Sequence, residues 1–91
     1  MICGRYFAME YVRAHLIIEG VVQGVFFRAN TVNTAKARNI CGWVRNNPDG
    51  TVEAVLEGKH DDVNSVIGWC RMGPPEARVD KVNILWEEYK N

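Results

Sequence analysis

The stretch Gly20-Val21-Val22-Gln23-Gly24-Val25-Phe26-Phe27-Arg28 gathers the residue types that grip an anion. Two glycines bracket a short loop that leaves an apolar strand and delivers one arginine to the start of a helix. Such a loop can turn several backbone N–H groups toward one point, where a helix dipole and a guanidinium add positive potential. A phosphoryl group fits that point. The same glycines serve any tight strand-to-helix connection, and an arginine there can be a plain surface residue, so the loop acquires meaning only from what stands beside it.

Charge distribution supports the reading. Lys+Arg and Asp+Glu are both 11, a formal net charge of zero, which argues against a general binder of nucleic acid or of a membrane surface. Yet no acidic residue falls between Glu19 and Asp49, while Arg28, Lys36, Arg38 and Arg45 all do. The loop therefore lies in a locally cationic stretch, although a solvated helix face explains Lys36 and Arg38 equally well. No apolar run approaches the roughly 20 residues of a membrane span, and the first residues lack the apolar core of a signal peptide. Cys3, Cys41 and Cys70 are odd in number and lack the close pairs of zinc sites, so neither a disulfide framework nor a metal site is indicated. A cytoplasmic protein is expected.

With 91 residues, 47% of them hydrophobic, the chain suffices for one two-layer domain. Residues 1–10 show no period and read as a loosely ordered amino-terminal extension, leaving 11–91 as the domain. Val12, Ala14, Leu16 and Ile18 alternate with more polar neighbours across Tyr11 to Glu19, the signature of a strand with one face in a core. His15 falls on its polar phase and reads as a surface residue. Phe27 to Arg38 continues as a helix that propensity favours weakly, with Asn39 ending it in a left-handed conformation. Ile40 to Asn46 and Thr51 to Glu57 form a hairpin about the turn Asn47-Pro48-Asp49-Gly50. His60 is expected in a turn, Asp61 or Asp62 caps a second helix with Val63, Val66, Ile67 and Cys70 on one face, and Gly73-Pro74-Pro75 ends it. Trp69 and Met72 read as packing residues. Ala77 to Trp86 is a fourth strand, with a bulge expected within Arg78-Val79-Asp80-Lys81.

The order strand, helix, strand, strand, helix, strand is that of an α+β, ferredoxin-like βαββαβ sandwich, with two helices on one face of an antiparallel sheet. In that wiring the first two strands run the same way with the third between them. Their carboxyl ends share an edge. The loop leaves the first strand there and Asn46 closes the second, so backbone donors, an arginine and a carboxamide converge without a His, Ser or carboxylate to act as base or nucleophile. RNA-binding modules use such sheets too, but their base-stacking aromatic motif is absent.

The segments GVVQGVFFR, GWVRN at Gly42 to Asn46, PDGTVEAVLEG at Pro48 to Gly58 and GPPEARV at Gly73 to Val79 resemble the acylphosphatase family. The likeness covers nearly everything from Val12 to Trp86. It implies hydrolysis of the carboxyl-phosphate bond of small acyl phosphates to a carboxylate and inorganic phosphate, with no metal and no cofactor. By the same resemblance Arg28 binds the substrate phosphate, Asn46 orients the attacking water, and the amides of Val21, Val22, Gln23, Gly24, Val25, Phe26 and Phe27 hold the phosphate oxygens. A monomer is expected. Gln23 reads as an exposed loop residue whose backbone amide, rather than its side chain, serves the loop; Gly42, Trp43, Asp49 and Gly50 read as structural. The sequence departs from the family pattern in Arg38-Asn39, where Leu-Gly usually ends the first helix, and the usual short final strand is expected to be missing. The segment Cys3 to Met9 is the expected cover for the edge this leaves. The alternative reading is a non-catalytic anion- or phosphate-binding module of the same fold, akin to the acylphosphatase-like domain of larger carbamoyl-transfer proteins.

Overall fold

The structure is a computed structural model describing residues 11–90. Its elements are β1 (Tyr11–Val21), α1 (Phe27–Ala37), β2 (Cys41–Asn46), β3 (Val52–Lys59), α2 (His60–Met72) and β4 (Arg78–Glu87). The βαββαβ order is as expected. The sheet order is β2-β3-β1-β4 and every neighbouring pair is antiparallel, so β1 and β2 run in the same direction on either side of β3. No further strand follows β4 among the described residues. The extension at residues 1–10, and the expectation that Cys3 to Met9 covers an edge, fall outside them.

The alternation in β1 does what its period requires: Ala14, Leu16 and Ile18 are fully buried, and they meet Val52, Ala54 and Leu56 of β3 in one core. Val63, Val66, Ile67 and Cys70 of α2 close that core from one side of the sheet. Burial pushes the Cys70 thiol up to about 12, which keeps it protonated and unreactive. In α1 the buried residues are Phe27, Thr31 and Ala35, one per turn, and the Thr31 hydroxyl donates to the Phe27 carbonyl at 2.8 Å, so its burial leaves no polar group unpaired. Packing thus holds a helix that propensity alone would not. The Phe27 ring lies 5.4 Å from that of Trp69, fixing the start of α1 against α2.

Several boundaries differ from the sequence reading. β3 runs to Lys59 and passes directly into α2, so His60 is helical, Lys59 holds the capping position, and Asp61 and Asp62 sit inside the first turn. There they complement the helix dipole without capping it. Met72 is exposed rather than packed, because it closes a helix whose apolar stripe ends at Cys70. Asn39 does adopt the left-handed conformation, at φ 58°. The expected bulge is present too: Glu19 pairs with Lys81 and Gly20 with Val79, leaving Asp80 as the extra residue at the point where β1 enters its loop.

Candidate active site

The register places the two halves of the site together. Ile18 of β1 pairs with Val52 of β3, and Val52 with Asn46 of β2, so one row of the sheet carries Asn46 two residues short of the Gly20 at which the loop begins. Beyond that row, Val22, Gly24, Phe26, Phe27, Arg28, Ala29 and Asn46 line a depression of about 250 Å³. Of the expected site residues, Arg28 and Asn46 share this depression with the loop positions Val22, Gly24, Phe26 and Phe27. Val21, Gln23 and Val25 are not among its lining residues.

Its electrostatics follow from local backbone choices. Phe26 takes a left-handed φ of 66° at the capping position of α1, supplies no side-chain cap, and no acidic residue occupies the first turn. The first N–H groups of a helix have no partner within it, so here a positive helix end is left open where the loop arrives. The Arg28 guanidinium has no ion pair or side-chain hydrogen bond with any described residue, nor does the Asn46 carboxamide. Both side chains are exposed. Such a pocket offers donors and positive potential and contains no acid; it suits an anion. Among the described residues no group of three or more His, Cys, Asp and Glu is arranged to hold a metal ion.

The hairpin behind Asn46 is densely bonded. Asn47 N–H donates to the Thr51 carbonyl at 2.9 Å and Gly50 N–H to the Asn47 carbonyl at 3.1 Å. The Asp49 carboxylate accepts from both the backbone N–H and the hydroxyl of Thr51, at 3.0 and 2.7 Å, and these bonds hold its pKa below the ordinary value.

A model of the acylphosphatase family matches residues 14–91. The chain belongs to the acylphosphatase family. It is 59% identical over 83 residues to the acylphosphatase of Pyrobaculum arsenaticum, covering 90% of this chain and 87% of that one. The acylphosphatase of Thermococcus kodakarensis is 55% identical over 80 residues, covering 88% of each chain. Among solved structures, an acylphosphatase from Coxiella burnetii superposes with a TM-score of 0.86 at 34% identity, over 91% of this chain and 87% of that one. Full-length HypF, in its phosphate- and nucleotide-bound form, matches with a TM-score of 0.80 at 31% identity, over 88% of this chain and only 11% of HypF.

Two features of the acylphosphatase chain escaped the sequence reading. Gln23 is not a free loop residue: its side-chain nitrogen donates to the Asn47 carbonyl at 2.8 Å and to the Thr51 carbonyl at 2.9 Å. His15 is held by two carboxylates, Nδ1 lying 3.1 Å from Glu87 Oε2 and Nε2 close to Glu53 Oε2. Period-2 patterning could flag that His15 shares a sheet face with Glu53 and Glu87, but not which strands adjoin.

Proposed function

We propose that this acylphosphatase binds the phosphoryl group of an acyl phosphate in the depression at the end of β1, using the loop amides of Val21 to Phe27 and the Arg28 guanidinium, while Asn46 orients the attacking water. The observation that carries the reading is that Arg28 and Asn46 line one depression and neither side chain has a hydrogen-bond or ion-pair partner among the described residues. A guanidinium left unpaired beside an open helix end is prepared for an anion, and two donors on separate elements can fix both the phosphate and its nucleophile.

The chemistry asks little more. Water oxygen attacks phosphorus, the bond from phosphorus to the acyl oxygen breaks, and the carboxylate departs with that electron pair. The water proton passes to a phosphate oxygen, so no His or carboxylate is required at the site. A carboxylate is a good leaving group, which leaves positioning and stabilisation of the phosphoryl oxygens as the enzyme's contribution. Every group assigned here provides one of those two. The groups assigned here all address the phosphate or the attacking water, and the substrate is a small-molecule acyl phosphate.

A phosphate-release assay on acetyl phosphate, run with a chelator present on the wild type, Arg28→Ala and Asn46→Ala, tests this. Turnover is expected in the wild type and is lost in both variants by roughly 10²–10³-fold each. A folded wild type that binds inorganic phosphate without turnover would favour the anion-binding module instead, and loss of activity with chelator would reject the metal-free reaction.

A further inference from the structure

We infer that Gln23 is a positioning residue: its side chain couples the phosphate loop to the hairpin that carries Asn46, holding the two halves of the site in register. The inference rests on the proposed roles of Arg28 and Asn46. Gln23 lies in the middle of the loop, and both bonds from its side-chain nitrogen cross to the hairpin, to the Asn47 carbonyl at 2.8 Å and the Thr51 carbonyl at 2.9 Å. A carboxamide nitrogen carries two hydrogens, so its whole donor capacity is spent on this crossing.

The acceptors matter as much as the donor. They are the two carbonyls that close the turn, since Asn47 O also accepts from Gly50 N–H and Thr51 O from Asn47 N–H. Gln23 therefore grips the rigid base of the hairpin immediately after Asn46, the residue that ends β2. The loop itself is otherwise free of side-chain tethers to that hairpin among the described residues. Arg28 and the amides travel with the loop and α1; Asn46 travels with β2. The sheet register brings β1 and β2 to one edge, and the Gln23 bridge adds a direct tie between the loop and the hairpin across the depression. A displacement of about 1 Å between them is enough to cost roughly 100-fold in rate.

The residue type is restrictive. Methionine can fill similar space without donating, and glutamate would turn a carboxylate oxygen toward two carbonyl oxygens. Asparagine falls one methylene short.

The test measures kcat and KM for acetyl phosphate, and the inhibition constant of inorganic phosphate, on the wild type, Gln23→Met, Gln23→Ala and Asn46→Ala, and on the double variant Gln23→Met/Asn46→Ala. Gln23→Met is expected to lower kcat about 10- to 100-fold while phosphate affinity moves less than about threefold, because the gripping groups all remain on one side of the cut. In the Asn46→Ala background the same substitution is expected to cost less than about threefold more, since there is no longer a water-orienting group to misplace. A loss that repeats in full on top of Asn46→Ala, an equal loss in kcat and phosphate affinity, or a kcat left at the wild-type value would overturn the inference. If Arg28→Ala and Asn46→Ala themselves retain wild-type kcat, the site assignment fails instead, which is a separable result. Should Gln23→Ala fold poorly, Gln23→Met retains the bulk and keeps the comparison usable.

Discussion

Two regions of this small domain carry arginines and treat them in opposite ways. On the face away from the helices, Arg13 bonds Glu87 at 2.9 Å and Glu57 at 3.2 Å, and Arg45 bonds Glu53 at 2.8 Å, so each cation is answered by carboxylates from neighbouring strands. At the end of β1, Arg28 has no such answer among the described residues. A guanidinium that the protein has already neutralised contributes to cohesion between strands. One left unpaired beside an open helix end makes no such tie between strands, and under the proposed function it is the group that meets the substrate phosphate. The strand register thus supplies carboxylate partners to Arg13 and Arg45 and none to Arg28.

The largest effect should come from exchanging those fates. If Arg28 meets the substrate as proposed, Arg28→Ala is expected to lose roughly 10²–10³-fold in kcat/KM and to unfold at the wild-type urea midpoint, because no ion pair or side-chain hydrogen bond is lost with it among the described residues. Arg13→Ala is expected to do the reverse, lowering the midpoint while kcat/KM stays within about twofold, since a surface change distant from the site carries no transition-state contact. Parallel urea titrations and acetyl phosphate kinetics read both. A marked stability loss in Arg28→Ala, or a large kinetic loss in Arg13→Ala, would break the division.

A smaller effect sharpens it by asking what holds the unpaired region in shape. Gly20 has φ 136°, and a methyl group placed there would lie 2.0 Å from the Arg78 carbonyl oxygen of β4. Gly24 has φ 74° and open space around it. Gly20→Ala should then destabilise the fold by on the order of 3 kcal/mol, as the bulged pairing of β1 with β4 must open. Gly24→Ala pays only for its left-handed backbone, about 1–2 kcal/mol. Equal costs in chemical denaturation would mean that the loop is not anchored at its β4 end.

How much of this was legible in the sequence follows from the range of each interaction. The alternation of Ala14, Leu16 and Ile18 and the helical spacing of Val63, Val66, Ile67 and Cys70 are local, and they led to the correct order of elements and the convergence of Arg28 with Asn46 at one edge. The bulge near Asp80 was legible because its irregular pattern interrupts an otherwise regular strand. The start of α2 was not: a strand that runs straight into a helix leaves no turn residue to mark the junction, and Asp61 and Asp62 look like caps. Gln23 and His15 were misjudged for a different reason. Their partners lie 24 to 72 residues away, on Asn47, Thr51, Glu53 and Glu87. A polar side chain without a nearby complement reads as solvated until the register is known.

The mildest test concerns His15, the one group on the paired face whose charge changes near neutral pH. Glu53 and then Glu87 raise its pKa above the ordinary 6.5 by hydrogen bonding to the charged ring, outweighing its partial burial. Facing it are Glu53 from β3 and Glu87 from β4, with Arg13 and Arg45 on the same two carboxylates and the Trp43 ring edge-on at 6.0 Å. The carboxylates shift the other way: His15, then Arg45, holds Glu53 below the ordinary 4.5, and Arg13, then His15, does so for Glu87. A raised histidine pKa gives stability that is complete below 6.5 and is lost as pH rises through the folded value. The lowered carboxylates give stability that is present above 4.5 and lost as pH falls through theirs. The face is therefore most cohesive between those limits, where Glu53 and Glu87 meet two arginines and a protonated histidine. Urea midpoints measured at about pH 5.5 and about pH 8.5 should show the wild type losing stability at the higher pH and His15→Gln losing less, its neutral amide having no proton to give up. If the two proteins follow the same pH curve, His15 belongs with the solvated residues, and the paired face owes its cohesion to Arg13 and Arg45 alone.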